Sequence, residues 1–131
     1  MNIVIFGTRK FNNYLTLKNI IDNSYFYKHN NINCVISGAA KGADTLGEQW
    51  AKEKGIEVMR MPAEWDKYGK AAGHIRNKEM AEKADCAIGF WDGSVVHSGT
   101  NNMINICEKL KVPMIVYRID TQELTQILYE A

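Results

Sequence analysis

Three short stretches of the chain carry residue types suited to holding an anion. The first, Gly7-Thr8-Arg9-Lys10-Phe11, follows an apolar run. Its arginine can grip a phosphate through two parallel N–H donors, and in isolation it reads equally well as a solvated surface residue. The second, Ser37 to Asp44, reads S-G-A-A-K-G-A-D, and the small side chains of Gly38, Ala39 and Ala40 let a ligand approach the backbone. Free N–H groups at the start of the following helix favour phosphate or carboxylate. The same run also serves as a plain strand-to-helix turn in which Asp44 complements the helix dipole. The third, Ser98-Gly99-Thr100-Asn101-Asn102, repeats the arrangement and adds hydroxyls. Two such turns on neighbouring strand ends can clamp a phosphate and a ribose between them.

A longer stretch, Pro62 to Asn77, combines base-stacking and phosphate-neutralising side chains. Trp65 and Tyr68 offer aromatic faces, while Lys70, His74 and Arg76 offer positive charge. Arg76 and Asn77 fall at the start of a predicted helix, pointing toward the strand ends. In the structural alternative, Trp65 anchors a loop and the charges face solvent. The carboxylates Glu64, Asp66 and Asp92 lie in the same loops, but their spacing makes no catalytic pair. Arg76, Glu64 and Asp92 are the catalytic candidates. His29 and His97 have no partner at metal or triad spacing and are assigned to the surface. Trp50 is assigned to the core, and Trp91 to either the core or a pocket wall. Neither the Walker pattern nor G-x-G-x-x-G is present, which disfavours an NTPase or an ordinary dinucleotide dehydrogenase.

The elements that must position these residues alternate strictly. Asn2–Phe6 reads as a strand, and the Leu17, Ile20, Ile21 and Tyr25 spacing predicts one helix from Tyr14 until Asn30 and Asn31 break it. Strands are predicted over Ile32–Ile36, Ile56–Met61, Cys86–Trp91 and Val112–Tyr117, and helices over Ala43–Lys54, Ile75–Ala84, Thr100–Lys111 and Thr121–Tyr129. Strands apolar throughout imply a parallel sheet covered on both faces. The fold class expected is therefore α/β, a single Rossmann-like doubly wound domain with a mainly parallel five-stranded sheet and helices on both faces. In such sheets ligands bind beyond the strand carboxyl ends, which is where the three turns lie.

The chain has 131 residues, 46% of them hydrophobic and 24% charged, with 16 Lys and Arg against 15 Asp and Glu. That length suits one domain. A net charge of +1 lacks the basic footprint of a dedicated nucleic-acid binder. No apolar run approaches the ~20 residues that span a bilayer, so a cytoplasmic protein without membrane contact is expected. Cys34, Cys86 and Cys107 form no C-x-x-C pair and read as reduced, buried thiols rather than metal ligands.

Taken together, G-T-R-K-F, S-G-A-A-K-G-A-D, W-D-K-Y-G-K-A-A-G-H-I-R-N-K-E-M and F-W-D-G followed by S-G-T resemble the YspA-like family of the SLOG superfamily. These are Rossmann-like domains named after the Smf/DprA and Lonely Guy proteins, and the resemblance covers nearly the whole chain. It implies a site for a nucleotide or nucleotide-derived ligand, ADP-ribose-like or a nucleoside phosphate, held by a sensor or sequestering protein in a stress or phage-conflict setting. Ser37, Gly38, Ala39, Gly99 and Thr100 would supply N–H and hydroxyl groups, Arg9, Lys70 and Arg76 the counter-charge, and Trp65 or Trp91 the stacking surface. No metal and no obligatory cofactor are implied, and a homodimer or higher homo-oligomer is.

The Lonely Guy branch resembles a set of phosphoribohydrolases that split the N-glycosidic bond of nucleoside 5′-monophosphates. Arg76, Asn77, Met80, Gly99 and Thr100 match its motifs, but its pattern places acids where this chain has Asn102 and Met103. Neither side chain exchanges a proton as a carboxylate does, which favours binding over hydrolysis. A single-stranded DNA-binding module of the DprA type is the lesser alternative, disfavoured by the near-zero charge.

Overall fold

Six strands, six α-helices and one 3-10 turn (Gly69–Ala71) occupy the residues that the computed structural model describes, 1–129. The strands are β1 (Asn2–Gly7), β2 (Cys34–Ser37), β3 (Glu57–Arg60), β4 (Cys86–Trp91), β5 (Met114–Arg118) and β6 (Leu124–Ile127). The helices are α1 (Tyr14–Asp22), α2 (Tyr25–His29), α3 (Ala43–Lys54), α4 (Trp65–Tyr68), α5 (Ala72–Lys83) and α6 (Gly99–Lys109). The sheet order is β3-β2-β1-β4-β5-β6. All pairings are parallel except β5 with β6.

Period-two alternation along buried β1 feeds two cores. Ile3 and Ile5 join Val35, Trp50 and Ile88 on the side covered by α1 and α3. Val4 and Phe6 join Ile36, Met80 and Met103 on the side covered by α5 and α6. Both faces of the central strands are thus apolar, as a doubly wound parallel sheet requires. The chain runs outward from β1 to β3, then crosses to β4 on the other flank of β1. This crossing leaves a crevice at the carboxyl ends of β1 and β4.

The predicted bounds of α3 and β4 match those observed. Three expectations are corrected. The sheet has six strands, because Thr121–Tyr129 does not form a helix. After a turn in which Gln122 has φ 62°, Leu124–Ile127 returns antiparallel to β5, and Ile127 packs on the α5/α6-side core. Leu124, Ile127 and Leu128 have spacing compatible with a helix, but β5 offers an unpaired edge that a strand satisfies. The helix predicted from Tyr14 through Tyr25 breaks at Ser24, whose hydroxyl donates to Ile21 O (2.6 Å) and accepts from Tyr27 N (3.2 Å), capping a second helix. Finally, β3 is not covered on both faces: as an edge strand it leaves Glu57, Met59 and Arg60 exposed.

Candidate functional site

Where β1 ends, Gly7 lies so close to Ala43 that a Cβ added to it would sit 2.8 Å from the Ala43 Cβ. This contact brings the start of α3 against the β1 end. Thr8 follows, its N–H donating to Phe90 O (2.9 Å), its carbonyl accepting from Phe11 N (3.2 Å) and its Oγ1 from Asp92 N (3.2 Å). The turn after β1 is therefore tied to the end of β4. Arg9 extends from it, exposed, toward the crevice.

Gly42 caps α3 with φ 81°, and Asp44 lies in the first helical turn, 5% exposed. Its Oδ2 accepts from Ala40 N at 3.2 Å. Burial pushes the Asp44 carboxyl up from its ordinary 3.8 to about 6, against the opposing pull of the Ala40 and Gly7 N–H groups and the Arg76 charge. The acid therefore stands in the first turn of α3 and ties it back to the turn at Ala40.

Arg76, half-buried on α5, donates from Nη1 to Gly38 O (2.6 Å) and from Nε to Asn77 Oδ1 (3.0 Å). Burial lowers its proton affinity, as does repulsion from Arg9, while Asp44 opposes both. A Cβ at Gly38 would fall 2.6 Å from Arg76 Nη1, so a larger residue there displaces the guanidinium. Asn77, 4% exposed, donates through Nδ2 to Gly99 O (3.2 Å) and Asn102 Oδ1 (3.0 Å), joining α5 to the first turn of α6. Ser98 caps α6 by accepting from Asn101 N at 3.0 Å. Thr100 is 9% exposed, and its Oγ1 has no hydrogen-bond partner among the described residues. Thr100 is one of the residues that line the crevice.

The crevice holds about 410 Å³. Of the residues expected from sequence, it brings together Gly7, Thr8, Arg9, Ala40, Asp44, Arg76, Asn77, Asp92, Ser98, Gly99 and Thr100. The others lie off its walls. Ser37 donates to Glu48 Oε2 (2.6 Å) and accepts from Ala39 N (3.1 Å), so both stand behind the turn and shape it. Ala39 turns there with φ 61°. Trp65, Lys70 and Glu64 are exposed outside the crevice. Trp91 donates from Nε1 to Ser94 O (2.9 Å) and lies 4.9 Å beneath the Arg118 guanidinium, bracing the loop that carries Asp92. Asp92 accepts from Ser94 N (2.9 Å), and the Ser94 hydrogen bonds lower its carboxyl below the usual range.

The crevice also contains residues outside the expected ligand-binding set. Phe6, Met80 and Met103 form its floor, and Ser94, Val96 and His97 its rim. His97, assigned to the surface, is indeed exposed, but at that rim, with φ 54°. Position within the S-x-x-x-S-G-T loop was the available signal. Among the described residues no cluster of metal-ligating side chains exists, and no helix is long and apolar enough to cross a membrane.

The model of one protein family, the YspA, cpYpsA-related SLOG family, matches residues 1–68. The chain is also 34% identical over 87 residues to the Gene 61 protein of Mycobacterium phage D29, covering 62% of this chain and 68% of that relative. No solved structure matches.

Proposed function

We propose, on the premise that the chain belongs to the YspA, cpYpsA-related SLOG family, that the crevice binds a nucleotide or nucleotide-derived small molecule and holds it intact. The matched residues include Gly7, Thr8, Arg9, Ala40 and Asp44 of the crevice wall. One observation carries the reading: Thr100, 9% exposed and with no side-chain hydrogen bond among the described residues, lines the crevice at the first turn of α6, where helix N–H groups lie free. A phosphate satisfies all of these donors together, and the helix end attracts it. Arg76 supplies counter-charge from the facing helix. Sensing or sequestration is consistent with the relative's phage origin.

Isothermal titration calorimetry with AMP, ADP and ADP-ribose tests the reading, with native mass spectrometry to establish whether each is recovered unchanged. Binding is expected for at least one of them, and Arg76→Ala is expected to weaken it by about 1 to 3 kcal/mol, the worth of a hydrogen bond to a charged group. Full affinity in that variant, or no binding by any nucleotide, overturns the assignment.

A second reading, hydrolysis of the N-glycosidic bond, is favoured by Asp44, a crevice carboxyl shifted to about 6 and thus able to exchange a proton near neutrality. Release of free base from AMP in the same samples decides for it.

A further inference from the structure

We propose that Arg118 is a positioning residue for the crevice. It is not one of the lining residues; held by Asp120, it fixes from behind the loop 92–98 that supplies the crevice rim. That a nucleotide occupies the crevice is the reading given above, and the affinity part of the test rests on it. How the rim is held does not.

Arg118 ends β5, and the turn into β6 closes on its backbone: its N–H donates to Glu123 O (2.8 Å) and its carbonyl accepts from Gln122 N (2.7 Å). Asp120 lies in that turn and takes two bonds from the guanidinium, Nε to Oδ1 at 2.9 Å and Nη2 to Oδ2 at 2.8 Å. A paired, planar contact of this kind fixes orientation as well as position. The guanidinium carbon so placed lies 4.9 Å from the centre of the Trp91 ring. Gly93 approaches it as closely. With φ 88°, that residue would put an added Cβ 2.9 Å from Arg118 Cζ, with Nη2 closer still. A side chain there would have to drive the guanidinium off Asp120 or Trp91.

The loop needs such a hold. Val95 and Val96, in its middle, are 64% and 78% exposed, so apolar packing does not keep it in place. Its ends do. Ser98 caps α6 at one end. At the other, Trp91 O accepts from Ile119 N (2.8 Å), Trp91 Nε1 donates to Ser94 O (2.9 Å), and Ser94 N donates to Asp92 Oδ1 (2.9 Å). Arg118 touches this end at both Trp91 and Gly93. Between those contacts Asp92 N is bonded to Thr8 Oγ1 (3.2 Å), the join to the turn after β1. Beyond them Ser94, Val96, His97 and Ser98 line the crevice. One side chain from β5 thus sets where the rim departs from the sheet, and the antiparallel return of β6 holds that side chain's own turn closed.

Hydrogen-exchange mass spectrometry of the unliganded chain tests the hold, followed by calorimetry with AMP, ADP and ADP-ribose. Arg118→Met keeps the length of the side chain and loses its charge and bonds. It is expected to speed amide exchange across residues 93–97 by at least about tenfold, as loss of charge-assisted contacts gives, while β5 and β6 exchange as in the wild type. Arg118→Lys keeps a charge near Trp91 without the paired bonds to Asp120, and should restore part of the protection. The affinity of whichever nucleotide the wild type binds should fall at least about threefold in Arg118→Met and less in Arg118→Lys. Unchanged exchange across 93–97 overturns the proposal. So does exchange raised equally along β5 and β6, which marks a residue that only stabilises the sheet edge, and so does a freed loop with undiminished affinity. A wild type that binds none of the three nucleotides removes the reading above instead, and the exchange pattern then decides on Arg118 alone.

Discussion

Asp44 holds its carboxyl 5% exposed in the first turn of α3, with backbone N–H groups and a nearby guanidinium offsetting only part of its desolvation. The sign of the resulting pH dependence follows from its shift. Between about pH 4 and pH 6 the folded chain retains a proton that the unfolded chain, at an ordinary 3.8, has released. Folding stability from this group therefore falls as pH rises through that window and is level above it. Asp44→Asn removes the titration, and losses that do not depend on pH cancel when the variant is compared with the wild type across pH. Relative to wild type, the variant should gain up to about 3 kcal/mol between pH 4 and pH 6.5, at 1.36 kcal/mol per unit. Urea unfolding at several pH values measures it, and a wild-type-minus-variant difference constant with pH would overturn the claim. At this scale the site was half legible. Arg9, Asp44 and Thr100 are legible because strand-end turns name their own position, and Arg76 because it falls at the start of a predicted helix aimed at the strand ends. Trp65 and Lys70 were chosen for their chemistry alone, and nothing in a polar loop says which way a side chain faces.

The turns act as elements because their backbones are fixed, and Gly42 shows how tightly. With φ 81° and ψ −127°, it occupies a conformation open mainly to glycine, and a Cβ there would lie 2.5 Å from Arg9 O, with Thr8 O closer still. Gly42→Ala is expected to destabilise the fold by at least about 1 to 3 kcal/mol and, by displacing the Thr8–Arg9 turn, to weaken ligand binding as well. Denaturant midpoints and calorimetry on the same variant check both, and an unchanged midpoint would show that the turn can relax. Elements whose signals are local were read from sequence: α3 ends at Gly55, which adopts φ 69°, and β4 is an unbroken apolar run. Those decided by distant partners were not. β6 exists because β5 needs a neighbour, and the α1–α2 break depends on a hydroxyl choosing Ile21 O over solvent.

For the whole molecule, strict alternation and buried strands imply a doubly wound parallel sheet, and the order observed is β3-β2-β1-β4-β5-β6. Its consequence is that the crevice draws its walls from both halves of the sheet. The turn after β1 and the start of α3 come from the first half, and Arg76 and the first turn of α6 from the second. A ligand there couples the two halves, because it is lost if either unfolds. Binding to the native state alone adds about 2.7 kcal/mol at a ligand concentration of one hundred times Kd. In a chain of this length that corresponds to a rise of about 10 °C in Tm. The rise should be accompanied by slowed amide exchange in both β2 and β5, strands on opposite flanks of the site. Thermal shift and hydrogen-exchange mass spectrometry with ADP measure the two effects. Protection confined to one half, or a Tm rise undiminished in Arg76→Ala, would place the ligand somewhere other than the crevice between β1 and β4.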